Sequence, residues 1–222
     1  MLGGTVSGGL VLTAVLAGVL AGAAAPASSS FDDQEAAQAL IDRARGQFQK
    51  RQYEDAEVTY RRAIAALIRA EREYDRAMGL AQSGLGVTLD AMGRSEEAED
   101  AHRQALRISL RVLGEKHAES VAMSNNIVRN LHLQKRDREA EPAARNALEA
   151  ARRSLGESAP ETTDAMGNLA RVLGRVGNHQ EADELFRQAI ELRRKIRRGN
   201  DLELIFLLRD HAENLDAIGK PH

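Results

Sequence analysis

The chain of 222 residues contains no cysteine and no tryptophan. The first absence excludes disulfides, thiolate metal sites, a cysteine nucleophile and a lipid-modified N-terminal cysteine. Aromatic residues make up only 3% of the sequence. A two-layer enzyme core usually carries more, whereas an array of helices built on Ala and Leu does without them. Excess charge of either sign is also lacking: the net charge is -2, so no global field draws the chain to nucleic acid or to an anionic membrane. The six histidines, among them His102, His117, His132, His179 and His211, never take the HExxH spacing of a zinc helix. Gly84-Leu85-Gly86 lacks the following Lys-Ser or Lys-Thr of a phosphate loop. No catalytic residue, metal site or cofactor is therefore expected.

Charge is absent altogether from residues 1–30. Leu10 to Leu20 is apolar and leads into Ala21-Gly22-Ala23-Ala24-Ala25-Pro26. An apolar run followed by small residues reads as a secretory signal peptide over 1–25, cut after Ala23 or Ala25. The Lys or Arg that usually precedes such a run is missing. Two other readings stay open. One is an uncleaved anchor, although Leu10 to Ala25 falls short of the roughly 20 residues that span a bilayer. The other is a mis-set start ahead of the fold. The signal reading implies an exported, periplasmic or extracellular protein, and the anchor reading a membrane-attached one. Residues 26–32 read as a short linker, with Ser30 as the first helix cap and Asp32 and Asp33 in the first turn. The folded domain is expected over 33–219, with a tail at 220–222.

What is abundant is helix-forming residues: Ala, Leu, Arg and Glu dominate. They recur with a period of 42. Ala56, Ala98, Ala140 and Ala182 are in phase, as are Ala63, Ala105, Ala147 and Ala189. Ile64, Leu106, Leu148 and Ile190 follow directly. An earlier column holds Ala44, Gly86, Val128, Ala170 and Ala212, with Leu89, Leu131, Leu173 and Leu215 three residues on. Gly93, Gly177 and Gly219 mark a turn that Arg51 and Lys135 occupy in the other units. A fixed period of this length signals a repeat array. Small residues permit close helix crossings, Leu and Ile fill the space beside them, and glycine accepts φ > 0 where a helix ends. The pattern predicts helix pairs at 33–50 with 53–72, 76–92 with 95–113, 118–134 with 137–154, and 159–176 with 179–197. A ninth helix is expected over about 201–218. Ser158 with Glu161 reads as a capping box. His102 and His211 fall in repeat columns and read as packing residues.

These columns resemble the tetratricopeptide repeat. Leu85-Gly86, Leu89, Gly93, Ala98 and Ala105 match its pattern in the second unit, and Leu169-Ala170, Leu173, Gly177, Ala182, Phe186 and Ala189 in the fourth. The longer period, with Leu113-Gly114-Glu115-Lys116-His117 and Leu155-Gly156-Glu157 at the junctions, is similar to the kinesin-light-chain-like subclass. His102 and Ala144 stand where that family usually has an aromatic. The resemblance implies an all-α, right-handed superhelical solenoid of about four antiparallel pairs plus a C-terminal single helix.

The resemblance also implies a role: a non-enzymatic scaffold or adaptor that holds a peptide or helix of a partner protein on its concave side. By column, the inward positions include Ser83, Asn125, Arg129, Gly167, Arg171, Arg175 and Arg209, with Asn126 and Asn168 one residue along. Asn can pair with a peptide backbone without reading its sequence, and Arg can hold a carboxylate with two bonds. Acids such as Asp90, Asp164, Glu213 and Asp216 lie nearby, so the groove is of mixed charge. A second candidate surface is the last helix, where Leu204, Phe206, Leu207 and Leu208 make it apolar nearly all round. Terminal repeats normally turn a polar face outward. This alternative makes the chain a homodimer, or an accessory subunit of an enzyme complex. No nucleic acid is expected as a partner, and a membrane only if the N-terminal segment stays uncleaved.

Overall fold

The computed structural model describes residues 27–72, 75–196 and 202–219. Among these, nine helices follow one another: α1 (Ala27–Gln49), α2 (Tyr53–Arg69), α3 (Arg76–Ala91), α4 (Ser95–Val112), α5 (Ala118–Leu133), α6 (Asp137–Leu155), α7 (Pro160–Val176), α8 (His179–Ile196) and α9 (Leu202–Ala217). No strand occurs among the described residues, and no described helix is long and apolar enough to cross a membrane. The bounds follow the 42-residue columns closely except at the start. There α1 runs from Ala27, through most of the stretch read as a linker, and Ser30 lies inside the helix. From 27 to 45 the sequence holds neither glycine nor proline, so nothing delays the helix until Asp32. The expected signal segment, 1–25, and the tail, 220–222, lie outside the described residues.

Helix starts repeat in phase. Asp75 accepts from the Ala77 N–H at 2.8 Å, and His117, 42 residues on, accepts from the Glu119 N–H at 3.2 Å. The third member of this column is Ala159, which caps α7 with no side-chain bond and is followed by Pro160 in the first turn. Ser158 is exposed and does not serve as the expected cap. Proline removes one of the donors a cap would satisfy, so the cap is dispensable here. The junctions behind these starts repeat as well. The Ser120 hydroxyl donates to the Gly114 carbonyl at 2.7 Å, and that of Thr162 to Gly156 at 2.8 Å. The turn inside each unit is left-handed in all five places: Arg51, Gly93, Lys135, Gly177 and Gly219 have φ of 59°, 76°, 59°, 92° and 70°.

Each first helix (α1, α3, α5, α7, α9) packs backbone to backbone against the next first helix, whereas among the described residues the second helices meet only through side chains, as in Arg61–Glu97 and Arg145–Glu181. The stack is therefore tighter on the first-helix side, which makes that side the inner one. The second helices carry a repeating ion pair on the outer side. Arg61–Glu57, Arg103–Glu99, Arg145–Glu141 and Arg187–Asp183 are all spaced i,i+4 and recur every 42 residues. Arg94 and Arg136 reach back across units to Glu57 and Glu99. Burial opposes ionisation of Glu99, but hydrogen bonds from Gln134, Arg103 and Arg136 hold its carboxyl down at about 2.

The apolar core falls into two clusters, one from α1–α4 and one from α5–α9. Much of the seam between them is polar. His102, 1% exposed, fills the space that Gly86 leaves, where a Cβ would stand 2.6 Å from the ring. Its Nε2 lies 2.9 Å from Asp90 Oδ2. Asn130, fully buried, donates to Asp90 Oδ1 at 2.7 Å and to the Ser95 carbonyl at 2.8 Å. His102 is thus a packing residue, as its column implied, while Asp90 is an interior partner and not part of the groove. Asn214 repeats the Asn130 bond 84 residues later, donating to the His179 carbonyl at 3.0 Å. His211 reaches Asp183 at 2.7 Å and lies beside Phe186.

Candidate functional site

Three first helices, α5, α7 and α9, line a cavity of about 390 Å³. Because the units are 42 residues long, positions 125, 167 and 209 stand at one height along these helices, and 126, 168 and 210 at the next. Seven of the expected groove residues border this cavity: Asn125, Asn126, Arg129, Gly167, Asn168, Arg171 and Arg209. Gly167 lies among them and leaves room for Leu207, whose Cδ2 is 2.5 Å from where a Cβ would be. Arg175 does not border it. It lines an adjoining hollow of about 520 Å³ between α7 and α9, 60% exposed and 3.8 Å from Asp137. Ser83 does not border the cavity either; its hydroxyl accepts from Asn126 Nδ2 at 3.2 Å.

The cavity residues differ in how much they leave free. Asn125 is only 6% exposed and donates to the Glu161 carbonyl at 3.0 Å. Its amide N–H binds α5 to α7, so the expected role as a free hydrogen-bonding arm is corrected: position 125 faces the first turn of the next unit. Arg171 donates to Asp210 at 2.6 Å and to Asn168 at 2.9 Å. Arg209 donates twice to the other oxygen of Asp210, at 3.0 and 2.8 Å, and lies over the Phe206 ring at 5.3 Å. Two arginines thus share one buried carboxylate. Arg129 differs. It donates to Asn126 at 3.2 Å and, among the described residues, has no carboxylate within ion-pairing distance.

The opposite end of the cavity is acidic. Glu161, Asp164 and Glu203 border it. Burial pushes the Asp164 carboxyl up to about 6, against the pull of Arg193 and Arg129 and with the help of Glu203 and Glu161. Arg193, buried in α8, donates to it at 2.8 Å. Of these acids the inward reading named only Asp164. The signal for the others was present, since Glu119, Glu161 and Glu203 form a 42-residue column of their own.

The last helix is more ordered in its faces than its composition suggests. Leu207 is buried and Leu204 packs on the same core. Leu204 is partly buried, and Leu207 meets only the cavity wall, so neither extends the exposed stripe of the last helix. Phe206 and Leu208, each 40% exposed, are joined on the outside by Leu202 at 64% and Ile205 at 51%. The rotation of α9 is set by Leu207 on Gly167, Asp210 on Arg171 and Asn214 on His179. That register turns Phe206 to the groove and leaves Leu202, Ile205 and Leu208 as a stripe spaced i, i+3, i+6.

The tetratricopeptide repeat family model matches residues 77–152 and 119–195, which together span over half of the chain. No curated protein matches it in sequence. Among solved structures, it resembles the nearly identical tetratricopeptide-like repeats of a putative kinesin light chain from Podosopora anserina. That pair has 20% identity and a TM-score of 0.68, over 84% of this chain and 88% of that one. BtubC (BKLC) from P. vanneervenii gives 20% identity and 0.66, over 86% and 82%. YrrB, described as a tetratricopeptide repeat protein with an unusual peptide-binding site, gives 18% and 0.53, over 88% and 84%. At such identities the likeness is one of fold. The family match, the 42-residue columns and the stacked helix pairs agree: the chain belongs to the tetratricopeptide repeat family.

Proposed function

We propose that this protein is a non-enzymatic scaffold that holds a segment of another polypeptide between α5, α7 and α9. The observation that carries the reading is the convergence of Asn126, Arg129, Asn168, Arg171, Arg209 and Phe206 on one cavity of the inner face. The family, and the likeness to YrrB with its unusual peptide-binding site, support it. The test is co-purification from native extract with the wild-type chain and with an Asn126→Ala, Arg129→Ala, Phe206→Ala variant. None of these three side chains is fully buried, so the variant should fold. Partners held by the groove are lost with the variant; a partner set that survives intact overturns the reading.

A second reading, self-association, rests on the exposed stripe Leu202, Ile205 and Leu208. We also propose export, on the apolar run and small residues of 1–25. N-terminal sequencing of the mature protein checks it: a start after Ala23 or Ala25 supports cleavage, and a retained Met1 rules it out.

A further inference from the structure

We propose that the groove selects an extended partner segment by the placement of its charges: a basic residue at one end, an acidic residue at the other, and an apolar side chain between. This rests on the groove reading above and adds what the groove takes. The observation is a sorting of charge along parallel helices. On α7, Glu161 and Asp164 lie in the first turns and Arg171 follows seven to ten residues later. At 1.5 Å per residue that is about 10–15 Å along the axis. On α9, Glu203 precedes Arg209 by about 9 Å. Arg129 on α5 stands at the height of Arg171, one period earlier. The cavity therefore has an acidic end and a basic end, with Gly167, Phe206 and Leu207 in between.

Each end keeps a charged group that no described residue of opposite charge pairs with at contact distance, although Arg129 acts on Asp164 through space. Among the described residues the Glu161 carboxylate has no hydrogen bond or ion pair, its backbone carbonyl alone being engaged by Asn125. At the other end Arg129 is bonded only to the neutral Asn126. A segment of one charge sign meets attraction at one end and repulsion at the other, so complementarity favours a segment of both signs. A helix about 10 Å across exceeds a cavity of about 390 Å³. An extended chain covers the span between the two ends in about three to five residues.

The test uses three blocked peptides on the full chain, measured by fluorescence anisotropy. The first is Lys-Lys-Gly-Leu-Leu-Gly-Glu-Glu. The second has the same composition with the charges mixed, Lys-Glu-Gly-Leu-Leu-Gly-Glu-Lys. The third replaces both lysines of the first by glutamate. The sorted peptide should bind about tenfold tighter than either of the others. Glu161→Lys and Arg129→Glu should each reduce that preference severalfold, and the double variant should remove it. Circular dichroism confirms that the variants fold. Equal binding of the three peptides, or tightest binding of the all-acidic one, overturns the charge placement. If that happens while natural partners are still lost with the triple groove variant, the groove reading stands without it. If the triple variant keeps its partners, both fall.

Discussion

Lys135 and Gly177 occupy the same place in consecutive units, with φ of 59° and 92°. A side chain in this left-handed region costs roughly 1–2 kcal/mol, and a glycine gives back about 0.5–1 kcal/mol through its freer unfolded chain. Lys135→Gly is therefore expected to stabilise the protein slightly, by up to about 1 kcal/mol, and Gly177→Ala to destabilise it by about 1 kcal/mol. Urea midpoints of the two variants check the opposed signs. The same scale shows how a column can mislead. Asn125 and Asn126 read as groove residues, and Asn126 borders the groove with its side chain partly open, while Asn125 is spent on the Glu161 carbonyl. Asn130, which the columns did not single out, is the more deeply engaged of the three. Its counterpart Asn214, 84 residues on, was the available sign.

At the scale of the element, α9 is the informative helix. Five consecutive apolar residues, Leu204 to Leu208, leave its rotation undecided, since every face looks fit for burial. Polar partners decide it: Asp210 seeks Arg171, and Asn214 seeks His179. Leu207→Ala should then cost about 2–5 kcal/mol as a core truncation, read by thermal or urea unfolding, without bearing on association. Ile205→Glu with Leu208→Glu should leave the fold intact, because both side chains are 40% exposed or more. If self-association is real, sedimentation shows that double variant as a monomer where the wild type is a dimer. A wild type that is already monomeric ends that reading.

Across the whole molecule, two pH effects oppose each other. The Asp164 carboxyl, flanked by Arg193 on α8, Arg129 on α5, Glu161 on its own helix and Glu203 on α9, is raised from 3.8 to about 6. Its ionisation opposes folding, so its contribution to stability is fully present below about 4 and lost as pH rises through about 6. Glu99 is shifted the other way, from 4.5 to about 2, and its contribution, fully present above 4.5, is lost as pH falls from there through about 2. The urea midpoint should accordingly gain from Asp164 as pH drops from about 7 to 5, and Asp164→Asn should remove that gain. Binding of a basic residue at the acidic end runs opposite: it should weaken over the same interval, as Asp164 takes up its proton. A peptide affinity that stays flat from pH 7 to 5 would place Asp164 outside the contact.

By itself the sequence determined the architecture. Period, small-residue columns and turn positions are local and repeated, and stacking identical units leaves one solution for where each pair packs. It also brought most of the expected inward residues to one cavity, because equal spacing puts equal residues at equal heights. The tertiary structure alone decided which groove charges remain free. Whether Arg129 or Arg171 is available depends on Asp210 arriving from the next unit, and whether Asn125 is an arm or a tie depends on the first turn of α7. Periodicity gives a residue its direction, but its partners come from neighbouring units whose sequences differ, and only the packed helices bring those side chains within reach.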